Sequence, residues 1–169
     1  RMLNGKYGFD DISLGTPFMY SPDDCARMAE ILAERFKSQL QDEETGIVLM
    51  GHGTPEHFAN ALYSLLQLEL DRIAYGRFFV GTVEASPSVD DVLAAVQKGD
   101  YERVILEPLM VVAGDHANND MAGDEEDSWK SVFEAAGYDV TCLLRGLGEN
   151  EAIRQIYIDH AKAAIDSVQ

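Results

Sequence analysis

Three apolar runs in this sequence each lead into a residue that can hold a metal ion. "GIVLM" (Gly46–Met50) is followed by "GHGT", which sets His52 between two glycines. "RFFVGTV" (Arg77–Val83) is followed by Glu84, and "RVILEPLMVV" (Arg103–Val112) by "AGDHANND", which carries His116. Two neutral imidazoles and a carboxylate form a common ligand set for divalent transition metals, and the coordination positions they leave open can serve chemistry. The glycines around His52 let the backbone turn sharply and approach a ligand closely. A fourth run, "DVTCLL" (Asp139–Leu144), leads into "RGLGEN", with Arg145 and a glycine turn.

Each of these residues also has a plainer reading. A loop histidine is commonly just solvated, Glu84 could favour a helix N-terminus, and His116 could close a turn with Asp115 or Asn118. The case for a metal site is their coincidence after strand carboxyl ends, where open parallel α/β sheets bind ligands. The remaining candidates are read as structural. His57 is expected to be exposed in the first turn of a helix, and His160 to offset the dipole near the end of the last helix. The acids of "DEED" (Asp124–Asp127) are expected to stabilise the helix that follows. Cys25 and Cys142 lack ligand spacing and read as reduced, small apolar residues. No GxSxG, P-loop or Rossmann fingerprint occurs, and "GLGEN" resembles a phosphate turn only faintly.

The elements that must position these residues alternate along the chain. "ISLG" (Ile12–Gly15) reads as a first strand. "SPDD" (Ser21–Asp24) starts a helix, with Ser21 as N-cap and Pro22 at the first position, and Cys25, Met28, Ala29, Leu32, Phe36 and Leu40 form its apolar stripe. A helix from about Pro55 to Ala74 is expected to bury Phe58, Leu62, Leu65, Leu66 and Ile73. Ser86 or Ser88 caps a short helix through Val96. Pro108 is expected to break or finish its strand, and Ala113 to Asp127 reads as a long polar loop. "SWKSVFEAAG" is a helix stopped by Gly137. The last helix, Glu149 to Ser167, presents Ile153, Ile156, Tyr157, Ala161 and Ile165 on one face. About five strand–helix units in a row predict an α/β fold, a parallel sheet flanked by helices on both faces. No repeat or low-complexity linker marks an internal boundary.

The 169 residues suffice for one domain with a real core. Thirty acids against thirteen bases give a formal net charge of −17, a field that repels nucleic acid and attracts small cations. No apolar run reaches the length of a membrane helix, and no signal peptide opens the chain, so a cytoplasmic site is the default expectation.

Taken together, "GHGT", "VGTVEASPSVDDVL", "PLMVVAGDHANNDMAGDEEDSWK" and "GLGENEAIR" resemble the anaerobic sirohydrochlorin cobaltochelatases, class II chelatases of cobalamin biosynthesis. The family's opening motif has the form FxGHGT, and here Leu49-Met50 stand before Gly51. The likeness runs over nearly the whole chain from Gly15 onward. It implies ATP-independent insertion of Co(II), as the substrate metal, into a sirohydrochlorin-type tetrapyrrole, with no organic cofactor. By motif the family's metal ligands and catalytic residues fall on His52, Glu84 and His116. Arg145 and Gly114 are the candidates for tetrapyrrole contact, with Lys130 as a further donor. Family chains are bilobal, so the resemblance implies that residues 1–20 are a connecting segment and 21–169 the C-terminal lobe. The N-terminal lobe, or a second copy of the chain, would then complete the cleft, and an export signal could lie in that other half. The same scaffold also serves iron and nickel chelatases, and a non-catalytic metal- or tetrapyrrole-binding module is the rival from another class.

Overall fold

The computed structural model describes residues 12–55 and 58–167. Its centre is a four-stranded parallel sheet made of β1 (Thr45–Gly51), β2 (Phe78–Thr82), β3 (Arg103–Pro108) and β4 (Asp139–Cys142). The strand order is β2-β1-β3-β4. Five helices connect and cover it: α1 (Pro22–Arg35), α2 (Ala61–Ile73), α3 (Val89–Val96), α4 (Trp129–Ala135) and α5 (Glu151–Asp166).

Alternation along β1 divides the core in two. Ile47 and Leu49 pack with Phe78 and Val80, under Met28 and Leu32 of α1, Leu66 and Leu70 of α2, and Ile153 of α5. Val48 and Met50 point the other way, onto Val92 and Val96 of α3 and Trp129 and Phe133 of α4. Both faces are therefore covered, and every residue of β1 is buried, as a central parallel strand requires. Helix starts follow local chemistry. Ser21 accepts from the Asp24 N–H while the Asp24 carboxylate accepts from the Ser21 N–H, and Ser88 and Asp91 repeat this reciprocal cap on α3.

The strand order has a functional consequence. From β1 the chain moves one way to β2, then returns past β1 to β3 and β4. Connections leaving β1 and β3 thus diverge, opening a crevice between their carboxyl ends, the place where such sheets bind ligands. His52 follows β1 and His116 follows β3.

Several local expectations are corrected. Residues Ile12–Gly15 add no strand, so the described sheet has four rather than five; the Ser13 hydroxyl instead donates to the Ala164 carbonyl at 2.7 Å, laying this segment along α5. Helix α2 starts at Ala61, not near Pro55; a 3-10 turn, Phe58–Asn60, precedes it, and the Asn60 amide engages the Thr54 backbone in both directions. Its buried residues are Leu66 and Leu70, while Phe58 and Ile73 are exposed. Strand β3 stops at Pro108, as its missing N–H dictates, and β4 stops at Cys142, leaving Val111, Val112 and Leu144 exposed beyond the strand ends. The polar stretch after β3 is not all loop: Ala117–Met121 forms a π-helical turn. Helix α5 begins at Glu151 and buries Ile153 and Ile156, whereas Tyr157 stacks on Phe18 with centroids 5.1 Å apart and Ile165 is exposed. Among the described residues no helix is long and apolar enough to cross a membrane.

Candidate metal centre

The site is built outward from the end of β1. Gly51 lies against the ring of Tyr63, so any Cβ there would collide with it, and Gly53 turns the chain at φ +78°, in the region that favours glycine. The Tyr63 hydroxyl accepts from the Gly53 N–H at 3.3 Å. Pairing between β1 and β2 continues past the strands: Val83 N–H donates to Gly51 O at 3.0 Å and Glu84 N–H to His52 O at 2.8 Å. His52 and Glu84 are thereby fixed side by side through the backbone.

His116 arrives from β3 on the π-helical turn. Ala117 and Met121, four residues apart, are fully buried and anchor that turn in the core. The Asn118 N–H and side-chain amide both donate to Gly114 O, at 3.0 and 2.8 Å, closing its start. The residue preceding each anchor is His116 or Asp120, so these two share the outward side.

One donor atom from each of His52, Glu84 and His116 lies within 4.8 Å of the others. The two imidazoles meet edge to face, with centroids 4.7 Å apart and planes at 88°. In both rings Nδ1 is engaged by an acceptor. His52 Nδ1 donates to the Gly53 carbonyl at 2.8 Å, and His116 Nδ1 donates to the Asp120 carboxylate at 2.8 Å. Each ring therefore keeps its proton on Nδ1 and leaves the Nε2 lone pair for a metal. Two imidazole nitrogens and one carboxylate oxygen converge here, a donor set that suits a divalent transition metal. His52 and Glu84 are exposed and His116 is half-buried, so the group stands at a rim that a flat ligand can reach.

The other sequence candidates fall elsewhere. Arg145 is exposed on the same edge, beside a turn whose Leu147 and Gly148 N–H groups donate to Met110 O and Val111 O. Gly114 faces open space, and its carbonyl serves the π-helical turn. Lys130 pairs with Asp124 at 3.0 Å. His160 does not serve its own helix end; its Nε2 meets Asp24 at 3.0 Å and ties α5 to α1. The "DEED" acids lie outside the first turn of α4, where Ser128 caps the helix. His57 lies outside the described residues. Both cysteines are free, and burial pushes the Cys25 thiol up to about 11.

Sequence reasoning missed three contributors. Asp120 could have been found from its four-residue spacing to His116, whereas Tyr63 and Asn60 carry no local signal. Glu107 is a fourth surprise of another kind. It is fully buried within β3, with Arg35 Nη2 at 2.9 Å, and burial pushes its carboxyl up to about 7 against the lowering fields of Arg35 and Arg145. A cavity of about 810 Å³ lies away from the histidines at the outer edge of β2, lined by Tyr63, Gln67, Tyr75 and Tyr101 among others. Gln67 there pairs with the backbone of Phe78 and Val80, closing the sheet edge.

Comparison with known proteins places the chain in one family. The family model described as cobalt chelatase (CbiK) matches residues 4–166. The sirohydrochlorin cobaltochelatase of Salmonella typhimurium is 40% identical over 161 residues, covering 94% of this chain and 58% of that protein. The sirohydrochlorin cobaltochelatase CbiKC of Nitratidesulfovibrio vulgaris is 35% identical over 161 residues, covering 95% of this chain and 56% of its own length. The chain spans a little over half the length of these curated relatives.

Proposed function

This chain belongs to the CbiK cobalt chelatase family, and we propose that His52, Glu84 and His116 present Co(II) for ATP-independent insertion into sirohydrochlorin. The observation that carries the reading is the convergence of those three donors within 4.8 Å on the carboxyl edge of the sheet. The metal is a substrate here. It arrives bound to two Nε2 atoms and the Glu84 carboxylate, whose charge offsets part of its own. As it passes to the macrocycle, four bonds to pyrrole nitrogens replace those to the protein. Two pyrrole N–H protons must leave in exchange, and the vacated imidazoles are placed to accept them.

The macrocycle needs a face to lie on and partners for its carboxylates. Exposed Val111, Val112 and Leu144 border the rim, and Arg145 supplies a cation on the same edge. The backbone N–H of the Gly114 turn is a second donor toward a carboxylate. A facing wall, from a further lobe or a second copy of the chain, would complete the cleft.

The test is metallation followed by absorbance, with Co(II), Ni(II) and Fe(II) offered in parallel because the ligand types alone do not select cobalt. The lone chain should bind the metal and insert it poorly. With a facing lobe or a second copy in place, a spectral change that continues well beyond one equivalent of substrate, fastest with Co(II), is expected. A change that stops at one equivalent would identify a binding module instead.

A further inference from the structure

The two histidines are held differently. His52 leans on a neutral carbonyl, that of Gly53, in a loop between two glycines. His116 leans on a carboxylate, Asp120 Oδ2 at 2.8 Å, on a turn pinned by buried Ala117 and Met121. We propose that Asp120 is a positioning residue for the metal site, making His116 the anchoring ligand and His52 the one that yields first. The inference rests on the metal-site reading above.

The physical reason is the partner's charge. A carboxylate that accepts the Nδ1 proton pulls electron density toward Nε2, strengthens the metal bond, and fixes both tautomer and ring angle. A peptide carbonyl orients the ring but polarises it less. The π-helical turn supplies the geometry. Ala122 N–H reaches back to Ala117 O at 3.2 Å, and with Ala117 and Met121 turned into the core, His116 and Asp120 stay together on the outward side. A substrate metal must be both captured and released. One firm ligand and one softer ligand meet both needs, because the ion can shift toward the macrocycle while staying attached on one side.

The experiment is Co(II) titration of the purified chain, read by the visible ligand-field bands, on wild type, Asp120→Asn, Asp120→Ala, His116→Ala and His52→Ala. Circular dichroism checks the fold of each. Asp120→Ala is expected to weaken Co(II) binding 10- to 100-fold and to shift the bands, as loss of such a support does elsewhere. Asp120→Asn keeps an acceptor for Nδ1–H but loses the charge, so its affinity should lie between. It also keeps the test sound if the alanine variant folds poorly. His116→Ala should cost more affinity than His52→Ala. Wild-type affinity and bands in both Asp120 variants, with His116→Ala impaired, would overturn the positioning role alone. Undiminished Co(II) binding by His116→Ala and His52→Ala would instead overturn the metal-site reading beneath it.

Discussion

At the scale of single residues, the site separates binding from folding. His52, Glu84 and His116 stand beyond strand ends and contribute little to either half of the core. Replacing His52 or His116 by alanine should therefore lower metal insertion about 100-fold or more, while far-UV circular dichroism and the melting temperature stay near wild type. Glu84→Gln keeps the shape and removes the charge, so Co(II) affinity should fall about tenfold without loss of the site. Near-normal turnover by the His116 variant would mean the wrong histidine had been chosen, and His57→Ala is the variant that would then be expected to fail. Glu107 behaves in the opposite way, as a group of the core. Its carboxyl is raised to about 7, above the ordinary value of 4.5, chiefly by burial. A folded form that holds a proton more tightly than the unfolded form gains stability below pH ~4.5 and loses it as pH rises toward 7. Glu107→Gln removes that linkage. The difference in unfolding free energy between pH 5 and pH 8, from urea titration, should shrink by on the order of 1–3 kcal/mol relative to the parent. Equal differences in the two proteins would refute the assignment.

At the scale of elements, the positioning of the histidines depends on turns more than on strands. Gly53 holds φ +78° and packs against Thr82 and Ala85, so an alanine there is strained and crowded at once. Gly53→Ala is expected to cost about 1–3 kcal/mol of stability and to move His52 off Glu84, lowering Co(II) affinity without touching a ligand. A melting curve and a Co(II) titration check both halves, and unchanged affinity would show that the turn does not set the site. Such turns also explain what was legible beforehand. Strands β1 to β3, the cap at Ser21, and the convergence of His52, Glu84 and His116 on one edge could be read because each has a local signature: apolar runs, a cap residue, a polar side chain just past a strand. What could not be read depends on distant partners. Ile12–Gly15 looks like a strand but is claimed by α5 through Ser13. Just before α2, Asn60 folds back on Thr54, and the π-helical turn is set by which of its residues find the core. His160 looked like a dipole partner because Asp24 lies 136 residues away in sequence.

At the scale of the whole molecule, charge sets a conflict between the two substrates of the proposed reaction. A net charge of −17 draws Co(II) toward the chain and repels a tetrapyrrole bearing many carboxylates. Arg145, exposed just past β4, is a cation that can counter this locally. Raising ionic strength from 0.01 to 0.15 M shortens the screening length from about 30 to about 8 Å, which leaves contacts at the rim intact but cancels the long-range field. The two affinities should then move in opposite directions. Sirohydrochlorin binding, followed by fluorescence quenching, should tighten severalfold, and Co(II) binding should weaken by a comparable factor. Arg145→Ala should remove the local attraction and make the sirohydrochlorin response to salt steeper, because only repulsion remains to be screened. If both substrates bound more weakly as salt rose, attraction at the rim would dominate the tetrapyrrole's approach, and the global field would not govern how this chain meets its substrate.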